Sequence, residues 1–222
     1  MNYDDNYRPG RGHRKIVKSS PYHWVGQTTF TAADGRQQAF GFNSYLEYQA
    51  SLCCIYRPGF LDLEEQLAPV LVRKFSGAPA PHWLDFRLTL KSGKRIALAV
   101  KPKKFAERYE FRAEMLAVAD AAIPAVADEL CVVTEQNIDP IEFHNAKLFH
   151  SARFPEPVMD EAVAEALKSL RTPTMIRQFL AKSGIGPAGF YSVVRAIHKG
   201  LAKVASNERI GAATVISGKA IH

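Results

Sequence analysis

The chain has 222 residues, 47% of them apolar and 23% charged, enough for a core of useful size and for more than one domain. Its formal net charge of +7 favours a polyanionic partner. Three cysteines without paired spacing exclude a disulfide framework, and neither a bilayer-spanning apolar run nor a secretory leader is present, so a cytoplasmic protein with no membrane partner is expected.

Residues 1–13 are polar, with Arg8, Arg11 and Arg14 set among Gly and Pro, and read as a flexible basic arm that either lies along DNA or is a disordered start. Residues 42–56 predict a helix, with Ser44 placed as its cap, Glu47 in capping-box spacing and Arg57-Pro58-Gly59 as its stop. Strand-like pieces follow around 60–67 and 70–75, separated by Pro69. Residues 83–90 alternate apolar and polar, Ser92-Gly93-Lys94 signals a turn, and 95–101 resume as a second strand, which predicts a β-hairpin. A helix over about 105–125 and a short buried strand over 130–134 complete the order. Helix, hairpin, helix and strand imply an α/β domain with a mixed sheet flanked by helices.

The segment Phe154-Pro155-Glu156-Pro157 is the best boundary, giving domains of 14–155 and 156–222. Beyond it, 158–170 form an amphipathic helix, Thr172-Pro173 opens a second, and a third runs from about 187 to 198 and stops at Gly200. Two short strands around Asn207 would close a winged helix-turn-helix. In that arrangement the third helix offers Tyr191, Ser192, Arg195 and Lys199 to DNA, with His198 beside them. Phe190, Val193, Val194 and Ile197 face the core, and Lys203, Asn207 and Arg209 lie on the wing.

Metal-dependent phosphodiester cleavage needs acidic oxygens to hold a divalent cation and a nearby lysine to position water or offset charge. Glu47 on the first helix, Asp85 on the first hairpin strand and Lys101 at the end of the second supply those residue types. A plainer reading makes them a helix cap, a surface strand charge and a solvated lysine. Lys103, Lys104 and Arg108, with Arg112, form a basic cluster beside Lys101 that suits a phosphate backbone. The histidines and cysteines lack zinc-ligand spacing, and no phosphate-cradling glycine loop is present.

Several short patterns in order carry a family likeness: Ser44-Tyr45-Leu46-Glu47, Leu61-Asp62-Leu63-Glu64-Glu65-Gln66, Trp83-Leu84-Asp85-Phe86, Ala99-Val100-Lys101-Pro102, then Val133-Thr134-Glu135 and Asn145. With the lead-in from Ser19 to Gly26, they resemble the TnsA family of heteromeric transposase endonucleases. The resemblance implies a restriction-endonuclease-like PD-(D/E)XK domain followed by a winged-helix module. It further implies Mg²⁺, with Mn²⁺ as a substitute, held by Glu47, Asp85 and the Val100 main chain, with Lys101 assisting the attacking water and Gln66 close by. Its implied partners are double-stranded DNA, a DDE-type, TnsB-like transposase subunit and an ATPase regulator.

One position departs from the family pattern. Ala99 stands where the family carries Glu or Gln, so one side-chain ligand is missing. Either a carboxylate from the following helix reaches in, Glu107, Glu110 and Glu114 being available, or the domain serves as a silent DNA-binding or adaptor module. A restriction-type nuclease of a defence system is a third reading.

Overall fold

The computed structural model describes residues 6–14, 24–73 and 77–218, a mixed α/β chain that divides into two compact units, 1–139 and 140–222. In the first unit a short strand β1 (Tyr7–Arg8) pairs in parallel with β3 (Gln37–Phe42), whose other edge pairs antiparallel with β2 (Gly26–Thr31). Helix α1 (Tyr45–Ile55) follows, then β4 (Phe60–Glu65) and a small hairpin of β5 (Val70–Arg73) and β6 (Pro79–His82). Strands β7 (Phe86–Leu90) and β8 (Arg95–Val100), the short helix α2 (Lys103–Ala106), α3 (Tyr109–Ala122) and β9 (Glu129–Val133) complete the unit.

The main sheet has the order β4-β7-β8-β9, antiparallel except for the parallel β8–β9 pair. Its strands obey the two-residue period: Phe86 and Leu88 of β7 are fully buried while Arg87 reaches out to Glu64. Strand β8 is central and reads as a continuous apolar run, with Ala97, Leu98, Ala99 and Val100 all buried. Ala97 and Ala99 pack with Met115, Val118 and Ala122 of α3, and α1 packs on β3, β4 and β8. The expected hairpin is present, turning through Gly93 at a φ of 87°.

Two expectations for this unit are corrected. Of the arm expected over 1–13, residues 6–13 are not free, and residues 1–5 lie outside the described residues. Arg8 pairs with Asp34 at 2.6 Å, Gln38 Nε2 donates to Pro9 O at 2.7 Å, and the Arg11 guanidinium grips both oxygens of Asp62 at 2.8 Å. Glycine at 10 and 12 allows this close approach, because a Cβ on Gly10 would stand 2.7 Å from the Glu65 carboxylate. The long helix expected over 105–125 is broken into α2 and α3, with a bend at 107–108. The end of the strand expected over 70–75, and most of the lead-in 19–26, fall outside the described residues.

The second unit begins with α4 (Pro140–Ser151), so the division falls before the 155/156 boundary expected from the prolines. Asn145 explains this: its side chain donates to Glu208 O at 2.9 Å and accepts from Ile210 N at 2.8 Å, tying α4 to the segment before the last strand. Helix α5 (Pro157–Lys168), strand β10 (Thr174–Met175), helices α6 (Ile176–Lys182) and α7 (Phe190–His198), and strands β11 (Ala202–Val204) and β12 (Val215–Gly218) follow. The strands form an antiparallel sheet of order β10-β12-β11. Thr172-Pro173 therefore leads into a strand rather than a helix, and α6 starts later. The core is shared by all three later helices, with Val163, Ile176, Val193, Val194 and Ile216 at zero exposure.

Candidate active site

The site is built at the start of α1. Ser44 has extended backbone and its Oγ accepts from Glu47 N at 3.1 Å. Glu47 turns back on the same cap, Oε2 accepting from Asn43 N at 2.8 Å and Oε1 from Ser44 Oγ at 3.0 Å. Both the cap and the helix dipole favour a negative group here, which fixes the carboxylate without requiring it to be solvated. Glu47 is 7% exposed.

Asp85 enters β7 clamped by its main chain, donating to Leu98 O at 3.1 Å and accepting from Gln66 N at 2.7 Å. Its Oδ2 accepts from Val100 N at 2.7 Å, so the end of β8 and this carboxylate are held together. Gln66 is buried, adopts a φ of 44° and hydrogen-bonds the Asp85 side chain. A non-glycine residue in that left-handed region costs of order 1–3 kcal/mol, and such strain gathers at functional sites. Lys101, exposed just beyond β8, anchors its N–H on Val133 O at 2.9 Å.

These groups act on one another. Asp85 keeps some surface open to solvent, yet its surroundings desolvate the carboxylate and, with the Glu47 charge beside it, push its pKa up to about 7. The Val100 N–H, Lys101 and Gln66 oppose that rise. Burial also raises Glu47, against Asn43, Ser44, Arg14 and Lys101. Glu47, Asp85 and Lys101 are thus brought together, with the Val100 main chain bonded into the same site. Two repelling carboxylates flanked by cations form a hard-oxygen donor set that a divalent cation would relieve. Among the described residues no group of three or more His, Cys, Asp or Glu is placed to hold a metal ion.

Ala99 is 5% exposed and packs into the apolar cluster under α3. Of the acids considered as replacements, Glu107 pairs with Lys103 Nζ at 3.6 Å and Glu114 meets His82 Nδ1 at 3.0 Å. Glu110 is exposed in the first turn of α3. Of the basic cluster, Lys103 also donates its main-chain N–H to Glu135 Oε2 at 2.9 Å. Lys104 and Arg108 are exposed and stand over the Phe105 ring at 4.9 and 4.6 Å.

In the second unit, Tyr191 and Lys199 are exposed at the two ends of α7 as expected. Arg195 and Ser192 are not. Arg195 is 7% exposed, donates to Asp160, Glu156 and the carbonyls of Ala152 and Phe154, and reaches Ser192 Oγ at 2.7 Å. Both residues fasten α7 to the segment around α5 and are corrected from DNA contacts to interior anchors.

Arg14, which the sequence offers only as one basic residue of the N-terminal arm, is exposed, its guanidinium carbon lies 5.6 Å from the Trp83 ring centre, and its charge acts on Glu47. The glycines on either side of Arg11 were the signal available for it, since they mark a segment that must lie close against other backbone. No protein-family model matches the chain, and none of the curated proteins compared with it does.

Proposed function

We propose that the chain is a TnsA-like, Mg²⁺-dependent DNA endonuclease subunit that nicks DNA at the ends of a mobile element, working beside a DDE-type transposase. The observation that carries this reading is the convergence of Glu47 and Asp85, desolvated and mutually repelling, with Lys101 acting on both. The order of motifs from Ser44 to Asn145 supports it, and so does the net charge of +7. In this reading the first unit has a restriction-endonuclease-like fold. The second is a winged helix-turn-helix, which fits its helices α5 to α7 and the β10-β12-β11 sheet.

Glu47, Asp85 and the Val100 main chain would hold the cation, which when bound polarises a phosphodiester and acidifies a water. Lys101 orients that water and offsets the charge that develops on the phosphate. Lys104 and Arg108, beyond the site lysine, bind flanking phosphates, as does Lys103 once it leaves Glu107. Tyr191 and Lys199 of α7 contact DNA from the second unit.

A second reading rests on Ala99. With that position apolar and both Glu107 and Glu114 engaged elsewhere, the chain would serve as a silent DNA-binding adaptor for the transposase. Supercoiled-plasmid nicking with Mg²⁺ or Mn²⁺, with and without the transposase, separates the two. The endonuclease reading expects metal-dependent nicking that Asp85→Ala abolishes. Intact plasmid under every condition selects the adaptor.

A further inference from the structure

The N-terminal segment is laid along the first unit by a continuous set of bonds that ends at the acidic site. Tyr7 and Arg8 extend the edge of β3, and Pro9 is held by Gln38. Arg11 is gripped at the side chain by Asp62 and by Leu63 O at 2.8 Å. The main-chain N–H groups of Arg11 and Gly12 both donate to Glu65 Oε1, at 2.8 and 3.1 Å. That oxygen is fixed on a buried carboxylate whose other oxygen, Oε2, is buried without a hydrogen-bond partner. His13 N then donates to Gln66 O at 2.8 Å.

The last of these bonds falls on the residue that reaches Asp85. Gln66 is locked at both main-chain groups, by His13 N and Asp85 O, and its side chain bonds the Asp85 carboxylate. One residue further along, Arg14 rides over Trp83, two positions before Asp85, close enough to Glu47 to ease its ionisation. The segment therefore delivers an exposed guanidinium to the rim of the carboxylate pair. An arginine that only neutralised Glu47 would need neither exposure nor an aromatic shelf. A planar fork held open to solvent on a ring is suited to a phosphate.

We propose that Arg14 is a DNA-contact residue of this site, held by the strap of residues 7–13 and gripping a backbone phosphate next to the one that Glu47, Asp85 and Lys101 address. This rests on the endonuclease reading for the identity of the ligand, but not on cleavage. The two carboxylates and Lys101 bring one cation and one fixed positive charge to the scissile group. Arg14 adds a second fixed positive charge beside Glu47, from its place over the Trp83 ring.

The test uses the full chain and a short fluorescein-labelled duplex, with Ca²⁺ replacing Mg²⁺ so that binding is read without cleavage. Anisotropy titrations between about 50 and 200 mM KCl give the slope of log K against log salt. Arg14→Ala is expected to weaken binding several-fold and to lessen that slope by about 0.9, the value of one released phosphate contact. Arg14→Lys is expected to restore the slope. Lys91→Ala, an exposed lysine outside the proposed contacts, serves as the reference and is expected to leave the slope unchanged. An unchanged slope in Arg14→Ala overturns the inference, as does a chain that binds no duplex. Nicking by the unaltered chain with the transposase reports separately on the endonuclease reading. Active nicking with an unaltered Arg14→Ala slope would remove Arg14 alone, whereas absent nicking with a lessened slope would remove the nuclease and keep the contact.

Discussion

A carboxylate whose surroundings hold its pKa near neutrality makes stability depend on pH in an unusual direction. Asp85 ionises near 3.8 in an unfolded chain and near 7 in the native one, because burial first and the Glu47 charge second disfavour its anion. Between those values the native state carries a proton that the unfolded state has lost. The Asp85 contribution to stability therefore falls as pH rises through that window, by up to about 1.4 kcal/mol per unit, and is level above pH 7. Asp85→Asn keeps an oxygen for the Val100 N–H at the same place and removes the repulsion from Glu47. The variant is expected to be the more stable protein at pH 8 and to lose its advantage towards pH 4, as read from urea midpoints. A parent that gained on the variant with rising pH would reverse this account. Mg²⁺ or Mn²⁺ at pH 8 should raise the melting temperature of the parent, by binding the native state, and leave the variant unmoved.

Between elements, one buried guanidinium holds much of the second unit's geometry. Arg195 on α7 is 8% exposed at its side chain and reaches Asp160 of α5 at 2.7 Å and Glu156 at 3.0 Å. Removing it leaves Asp160 with Ser192 and the Glu156 N–H and frees two carbonyls, so Arg195→Ala is expected to cost about 2–3 kcal/mol in the unfolding of this unit. Lys199→Ala, at the exposed end of the same helix, should cost less than about 0.5 kcal/mol. Equal and small losses in denaturant titrations would return Arg195 to the surface. The contrast shows what sequence can reveal. The apolar stripe of Val193, Val194 and Ile197 was legible from its period, but the same period cannot say that an arginine beside it meets acids from another helix. Similarly, the Ser44 cap and the Gly93 hairpin were legible because local chemistry decides them. Strands β2 and β3 were not, since Gln, Thr and Gly break their alternation. Nor was β6, where Pro79 and Pro81 mask a short strand that pairs only with β5. At the site, Glu47, Asp85 and Lys101 were candidates through residue type and the order of motifs, while Arg14 was legible only as one basic residue of an arm, because its place depends on Glu65 and Gln66 more than fifty residues away.

At the scale of the whole chain, the prolines at 155 and 157 suggested a boundary that the packing does not respect. Helix α4 lies upstream of them, yet Leu148, Phe149 and Ala152 pack into the core formed by α5, α6 and α7. Asn145 ties α4 to Glu208 and Ile210, and His150 is buried neutral on it, its pKa pushed down to about 4 by burial and by Arg153. A fragment spanning 140–222 thus contains the core around α5, α6 and α7 together with both partners of Asn145. A fragment starting at 156 loses the whole of α4 and exposes the apolar surface it covers, which at about 25 cal/mol per Å² is a large share of the stability of a small unit. The longer fragment is expected to unfold cooperatively on heating, with dispersed amide signals in its NMR spectrum. The shorter one should melt lower and more broadly or fail to fold. Equal melting of the two would mean that α4 is dispensable and would move the boundary back to the prolines. If the longer fragment folds alone, duplex binding by the second unit can be tested without Arg14, Lys104 or Arg108. Salt-dependent binding that falls on substituting Tyr191, Lys199 or the basic residues from Lys203 to Arg209 would support the proposed DNA contacts of this unit, and absence of binding would remove them.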